Sequence, residues 1–150
     1  MTITKEIEID CAHRVYAHQG KCKNLHGHRY KIQVAVDGEV PDSGMVIDFG
    51  DLKEIMLEVI DKKLDHSGIF STQDPDLDLL QAIEKRQIER GGKPFIWLRE
   101  TPTAENIAKY LYGELKGPLI ARDIEIQAIQ VHETPSSTAF YQIEDELYDK

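Results

Sequence analysis

Along the first segment of the chain Ile3, Ile7 and Ile9 share one parity, and Cys11 and His13 continue it. A second run, Tyr30, Ile32, Val34 and Val36, alternates in the same way and is in phase with His26 and His28. Period-two patterning predicts two strands, each with one buried face. Paired as an antiparallel hairpin, the first strand ends at His13 while the second opens with His26 and His28. Residues 14–25 are then the connection. All three imidazoles fall at one end and on one face of the sheet.

The periodicity then changes. Pro41-Asp42-Ser43-Gly44 reads as a turn and Asp48 as a helix N-cap. Leu52, Ile55, Met56, Val59, Ile60 and Leu64 recur at three- and four-residue spacing, which predicts an amphipathic helix closed by Leu64-Asp65-His66-Ser67-Gly68. Leu79, Leu80, Ile83 and Ile88 suggest a shorter helix stopped by Gly91-Gly92, and residues 95–98 a short strand. Pro102-Thr103 caps a further helix with Ile107, Tyr110, Leu111 and Leu115, ended by Gly117-Pro118. Ile124 and Ile126 alternate, and a shift of phase to Ile129, Val131 and Glu133 predicts a bulge near Ala128. After a turn at Thr134–Ser137, Ala139 to Ile143 reads as the last strand. The order is strands, helices, strands: an α+β layout with helices on one sheet face.

Length and composition narrow the class. The 150 residues fit one domain, 1–150, with 41% apolar and 30% charged residues, as in soluble globular proteins. No apolar run reaches the roughly 20 residues that span a bilayer. Met1–Glu6 lacks the basic and apolar regions of a secretory signal, and two cysteines are too few for a disulfide framework, so the cytoplasm is expected. A net charge of −9 argues against nonspecific binding to nucleic acid or to an anionic membrane. Against that background Arg14, Lys21, Lys23, Arg29 and Lys31 form a basic island around the histidines, either a solvated face or a receptor for phosphate.

The chemistry concentrates on that island. Buried imidazoles need partners, and a zinc ion satisfies three at once, so His13, His26 and His28 are the candidate metal ligands. Three protein nitrogens leave one position open for water or substrate, the catalytic arrangement. Cys22 lies in the basic connection, where its thiolate would be favoured as a base or nucleophile, or where it is simply a small buried residue. Cys11 shares the face of His13 and is either a fourth ligand or core. Asp65-His66 is an adjacent acid–imidazole pair suited to proton transfer, or else a helix-end cap. Glu133, in phase with Ile129 and Val131, is a carboxylate that requires a partner and matches a ring edge offering two N–H donors. His18, in the connection, and His132, alternating away from Glu133, fall outside the site.

With these residues assembled, the chain resembles the 6-pyruvoyl-tetrahydropterin synthase / 6-carboxytetrahydropterin synthase family over nearly its whole length. Ala12-His13-Arg14 and Leu25-His26-Gly27-His28 resemble its two zinc motifs, Cys22 falls on its catalytic cysteine, and Leu64-Asp65-His66 on its Asp-His pair. Pro102-Thr103-Ala104-Glu105-Asn106 resembles its helix-opening motif, and His132-Glu133-Thr134 the segment whose glutamate anchors the pterin ring. The resemblance implies the tunnelling fold, a four-stranded antiparallel sheet with helices on one face, assembling into barrel-like trimers that pair as homohexamers. Active sites then lie between subunits, with zinc and Cys22 from one chain and Asp65-His66 from its neighbour. It implies 7,8-dihydroneopterin triphosphate as substrate, Cys22, Asp65 and His66 as catalysts, and Glu133, Thr103 and Thr134 as substrate-binding residues.

Two branches of this family differ in product. One stops at the pyruvoyl pterin. The other releases acetaldehyde and leaves 6-carboxy-5,6,7,8-tetrahydropterin, on the route to 7-deazaguanines such as queuosine. The three-residue gap between Cys22 and His26 resembles the bacterial, carboxy-forming branch. A noncatalytic zinc- or pterin-binding module is the alternative of a different class, and it requires Cys11 or Cys22 to close the metal site. The chain departs from the family pattern at Cys11, at Ser67-Gly68-Ile69-Phe70, at Glu100, and in a longer segment around residues 74–99.

Overall fold

The structure, a computed structural model, describes residues 1–142. Its elements in chain order are β1 (Thr2–His13), β2 (His26–Asp37), α1 (Phe49–Met56), α2 (Lys62–Leu64), β3 (Ser67–Ser71), α3 (Leu77–Glu89), β4 (Ile96–Leu98), α4 (Ala104–Ile120), β5 (Glu125–Thr134) and β6 (Ser137–Gln142). The predicted hairpin is present, with Thr2 opposite Asp37, Cys11 opposite His28 and His13 opposite His26. Alternation places Ile7, Ile9, Cys11 and His13 of β1 and Tyr30, Ile32, Val34 and Val36 of β2 in the interior. At the end of the chain β5 pairs antiparallel with β2 and β6 with β5. Ala35 lies opposite Ala128 but Val36 opposite Ile126, so Gln127 is the extra residue of the expected bulge. Ile143, the expected end of the last strand, lies outside the described residues.

Two helices cover the inner face. Asp48 caps α1 by accepting from the Gly50 amide at 2.6 Å. A π-helical stretch, Leu57–Asp61, joins α1 to α2, so the predicted stripe from Leu52 to Leu64 is one continuous helical rod. Thr103 caps α4 through the Asn106 amide at 3.3 Å. The buried faces of both (Leu52, Met56, Ile60 and Leu64; Ile107, Leu111, Leu115 and Leu119) join Ile32, Val34, Ile129 and Val131 in one core. Helix α4 passes through Gly117-Pro118 and ends three residues later than the sequence suggests. Pro118 lies in the last turn, where its missing N–H costs one bond, and burial of Leu119 carries the helix on. The stop comes at Asp123, in the left-handed region at φ 57°. Among the described residues no helix is long and apolar enough to cross a membrane.

The four expected strands form the antiparallel part of a six-stranded sheet of order β4-β3-β1-β2-β5-β6. The two additional strands, β3 and β4, pair in parallel beside β1. Residues 95–98 were expected as a strand; β3 was not, and its five residues are buried without alternation. A strand covered on both faces gives no period-two signal. One cover is the interior, through Ile69. The other is the segment around residues 74–99, which supplies Phe95 and Trp97 against Phe70 and places α3 beside them through Glu84. The core helices thus pack on one face, and α3 lies toward the other at the β4 end.

One charged cluster ties this segment to the end of β1. Arg14, next to His13, donates from Nε to Asp74 at 2.7 Å, from Nη2 to the same carboxylate, and from Nη2 to Asp76 at 2.6 Å. The Asp74 side chain is only 1% exposed. Burial alone would raise its pKa, but the Arg14 guanidinium and the Asp76 amide outweigh burial and hold it below the usual carboxylate range. The stabilisation is therefore complete above the ordinary carboxylate pKa of about 3.9 and is lost as pH falls through the depressed folded value. Asp74→Ala, which strands Arg14, is expected to cost about 3 kcal/mol in urea unfolding at pH 7 and matched protein concentration. The difference from wild type should shrink on acidification below about pH 4; a difference independent of pH would rule out this pair as its source.

Candidate metal centre and adjoining pocket

The hairpin register brings the predicted ligands together at one end of the sheet. Nε2 of His26 lies 3.1 Å from Nε2 of His13 and 3.1 Å from Nε2 of His28. On the far side of two of the rings stand backbone carbonyls. His13 Nδ1 meets Pro102 O at 2.8 Å, and His26 Nδ1 meets Asn24 O at 2.6 Å. A carbonyl only accepts, so each Nδ1 carries the proton and each Nε2 presents a lone pair. Lone pairs of His13 and His26 therefore face one another at contact distance, an arrangement that a cation resolves. Backbone carbonyls behind the ligands are the usual means of fixing metal-binding imidazoles. Burial, foremost, lowers the pKa of His13 and His28, favouring the neutral form that a metal requires.

Neither cysteine joins the group of converging ligand atoms. Cys11 is buried and hydrogen-bonded to Ala12 O at 3.6 Å. Burial, reinforced by the charge of Asp65, pushes its thiol up to about 12. With its sulfur outside the converging group and its side chain in the interior, Cys11 is a core residue. The donor set is three imidazoles with no thiolate, which fits a divalent cation such as zinc in a catalytic rather than a structural site.

A pocket of about 260 Å³ adjoins the histidines and is lined by Cys22, Thr103, Glu105, Glu133 and also His18, which was expected to fall outside the site. Cys22 reaches it from a single 3₁₀ turn, Lys21–Lys23, anchored to the end of β1 by the Val15 N–H donating to Cys22 O at 2.9 Å. Glu133 is the innermost carboxylate, 3.7 Å from His28 Nε2 and 4.0 Å from His13 Nε2. Thr134 does not line the pocket, and its hydroxyl turns toward Ser136 in the β5–β6 turn. Glu105, a second carboxylate in the pocket, has no role in the sequence-based assignment. Its signal was its place in the first turn of α4, two residues after the cap Thr103.

Asp65 and His66 are assembled with each other but not with the metal ligands. His66 takes a left-handed conformation, φ 58°, at the reversal from α2 into β3. Such strain in a non-glycine residue costs roughly 1–3 kcal/mol and is characteristic of functional sites. The pair is locked by His66 Nδ1 to Asp65 at 2.8 Å, by the Asp10 amide to Asp65 at 2.9 Å, and by the His66 amide to Asp10 O at 2.7 Å. Their side chains gather with the carboxylate of Asp10, which alternates away from Cys11 and His13. Within one chain the dyad is thus on the face opposite the three histidines, and the His66 ring is 76% exposed.

The basic island divides in two. Arg14 is consumed by Asp74 and Asp76, Arg29 pairs with Asp10 and Glu8, and Lys31 pairs with Glu6. Lys21 and Lys23, which flank Cys22, form no ion pair among the described residues and remain available to an anion.

Known proteins resemble this chain in sequence and in fold. The sequence profile of the family described as 6-pyruvoyl tetrahydropterin synthase matches residues 2–144. A 6-carboxy-5,6,7,8-tetrahydropterin synthase of Haemophilus influenzae is 39% identical over 145 residues, covering 93% of this chain and 97% of that one. One of the same name from Rickettsia conorii is 37% identical over 136 residues, covering 89% and 94%. Among solved structures, an uncharacterized protein of Wolinella succinogenes superposes with a TM-score of 0.81 at 25% identity, covering 95% and 98% of the two chains. The 6-pyruvoyl tetrahydropterin synthase of Caenorhabditis elegans does so with a TM-score of 0.64 at 27% identity, covering 95% and 94%. The chain belongs to the 6-pyruvoyl tetrahydropterin synthase family.

Proposed function

We propose that this chain is a zinc-dependent lyase that converts 7,8-dihydroneopterin triphosphate to 6-carboxy-5,6,7,8-tetrahydropterin, releasing acetaldehyde and triphosphate, in cytoplasmic 7-deazaguanine (queuosine) biosynthesis. The observation that carries the reading is the convergence of three imidazole Nε2 atoms beside a pocket that holds both Cys22 and Glu133. Relatives at 37–39% identity bear the carboxy-forming name, which favours that product over the pyruvoyl pterin. A thiolate-free donor set supports an enzyme rather than a noncatalytic module with a closed metal site.

His13, His26 and His28 would hold the zinc, which when bound would supply Lewis-acid polarisation of the substrate's side-chain oxygens. The remaining work belongs to the protein. Glu133 accepts two N–H groups from the pterin edge, and Glu105 is placed to take a further donor of the ring, with Thr103 at the helix start beside it. Cys22, between two lysines, exchanges a proton with the side-chain carbon that loses hydrogen. Lys21 and Lys23 receive the triphosphate as it departs. His66, oriented through Nδ1 by Asp65, presents Nε2 as the second proton-transfer group. Because that dyad faces away from its own chain's histidines, it serves a neighbouring subunit, and the working unit is an oligomer, which the family resemblance implies is a dimer of trimers.

Product analysis tests the reading directly. Zinc-loaded protein given 7,8-dihydroneopterin triphosphate should form the carboxy pterin and acetaldehyde, identified by mass; accumulation of a pyruvoyl pterin would move the chain to the other branch. In metal analysis Cys22→Ala should keep its zinc while losing at least about 100-fold in kcat, and His26→Ala should lose the metal. Release of zinc by Cys22→Ala would make that residue a ligand. Mixing inactive Cys22→Ala with inactive His66→Ala, followed by subunit exchange, should restore part of the activity, because some interfaces regain one intact copy of each group. No recovery after demonstrated exchange would place both groups in the same subunit's site.

A further inference from the structure

Asp65 and His66 stand where the helical rod ends. Helix α2 stops at Leu64, Asp65 is extended at φ −64° and ψ 128°, and His66 follows in the left-handed region at φ 58°. That place after a helix usually belongs to glycine, because a side chain strains it. The His66 ring is 76% exposed, so packing does not fix its direction. The imidazole is only as well placed as the backbone that carries it, and that backbone needs a hold from outside.

The hold comes from two sides. On β1, the Asp10 carbonyl accepts the His66 amide at 2.7 Å. On the other side, Lys93 Nζ donates to the Asp65 carbonyl at 2.6 Å and to the Asp61 carbonyl at 3.3 Å. These carbonyls close the rod, where a helix presents its negative end and a cation is favoured. Lys93 is half-buried and its own backbone is fixed. Gly91, at φ 82°, reverses the chain after α3, and a Cβ at Gly92 would lie 2.9 Å from the Gln87 carbonyl oxygen. The Gln87 side chain donates to the Lys93 carbonyl at 2.5 Å, the Ser67 hydroxyl to the Pro94 carbonyl at 2.8 Å, and the Phe95 amide to Glu84 at 2.6 Å. Lys93 is thus tied through its neighbours to α3 and to β3, and Ser67 is the residue that follows His66. Anchored at both ends, the side chain is a strut, unlike a lysine on a solvated surface.

We propose that Lys93 is a positioning residue: by binding the Asp65 and Asp61 carbonyls it holds the left-handed reversal that aims the His66 imidazole at substrate. This role rests on the reading above, in which His66 transfers a proton. Lys93 acts through the backbone of the dyad and does not touch the reacting atoms.

The test is a double-mutant cycle on the zinc-loaded protein with 7,8-dihydroneopterin triphosphate: wild type, Lys93→Met, His66→Ala and the two combined, with Lys93→Arg as the conservative variant. Lys93→Met should lower kcat about 10-fold at nearly unchanged KM, the effect of a misplaced proton-transfer group. Lys93→Arg, which keeps a cationic donor, should retain most of the activity. In the His66→Ala background Lys93→Met should cost nothing further, since the group it positions is gone. Hydrogen exchange needs no turnover: in Lys93→Met the His66 amide should exchange about 10-fold faster, with the Ile32 and Val34 amides unchanged. An equal loss of kcat in both backgrounds, or faster exchange at all amides alike, would show a merely structural role. An unchanged kcat or an unchanged His66 exchange rate in Lys93→Met would show no hold. With His66→Ala slow, each of these overturns the proposal and leaves the proton-transfer reading intact. A His66→Ala protein as fast as wild type would overturn that reading, and this role with it.

Discussion

The site depends on one constraint: the Nε2 lone pairs of His13 and His26 are made to face each other at 3.1 Å, with His28 equally close to His26. Two neutral imidazoles do not choose that arrangement. Three structural devices impose it. The β1–β2 register sets His13 opposite His26. The alternation of β2 puts His28 on the same face. The carbonyls of Asn24 and Pro102 hold the protons on the far nitrogens. Pro102 stands directly before the cap of α4, so the helix that closes the core also orients the His13 ring. Fold and centre therefore share parts: a change that shifts α4 on the sheet also turns the His13 ring.

The same economy governs the surroundings. Arg14 is anchored by Asp74 and Asp76, Val15 holds the backbone of the Cys22 turn, and His13 stands in the candidate centre, all within three consecutive residues. The segment around residues 74–99 thus reaches the end of β1 through a buried ion pair. It also covers β3 and adds β4 to the sheet. Its contribution is to rigidity at the end of β1 rather than to the lining of the pocket.

Much of this was legible in the sequence because the decisive signals were periodic. Alternation identified β1, β2 and β5 and placed three histidines on one face; the phase break at Ile126 to Ile129 located the bulge. What was not legible had lost its period or depended on long-range pairing. The β3 strand is buried on both faces and has no alternation to read. Gly117-Pro118 has the composition of a helix end, but burial of Leu119 prevailed over it. Arg14, Arg29 and Lys31 look like phosphate receptors until Asp74, Asp76, Asp10, Glu8 and Glu6 are found beside them. Glu105 was hidden for the opposite reason: it fits its local pattern, a first-turn acid, and only the pocket distinguishes it.

The central claim is an open centre of three imidazoles, with both cysteines free of the metal. X-ray absorption at the zinc edge of the loaded protein addresses it without reference to activity. The account predicts a first shell of nitrogen and oxygen scatterers only, at about 2.0–2.1 Å, with the multiple-scattering signature of imidazole. A sulfur scatterer near 2.3 Å would contradict it, since Cys11 or Cys22 would then close the site.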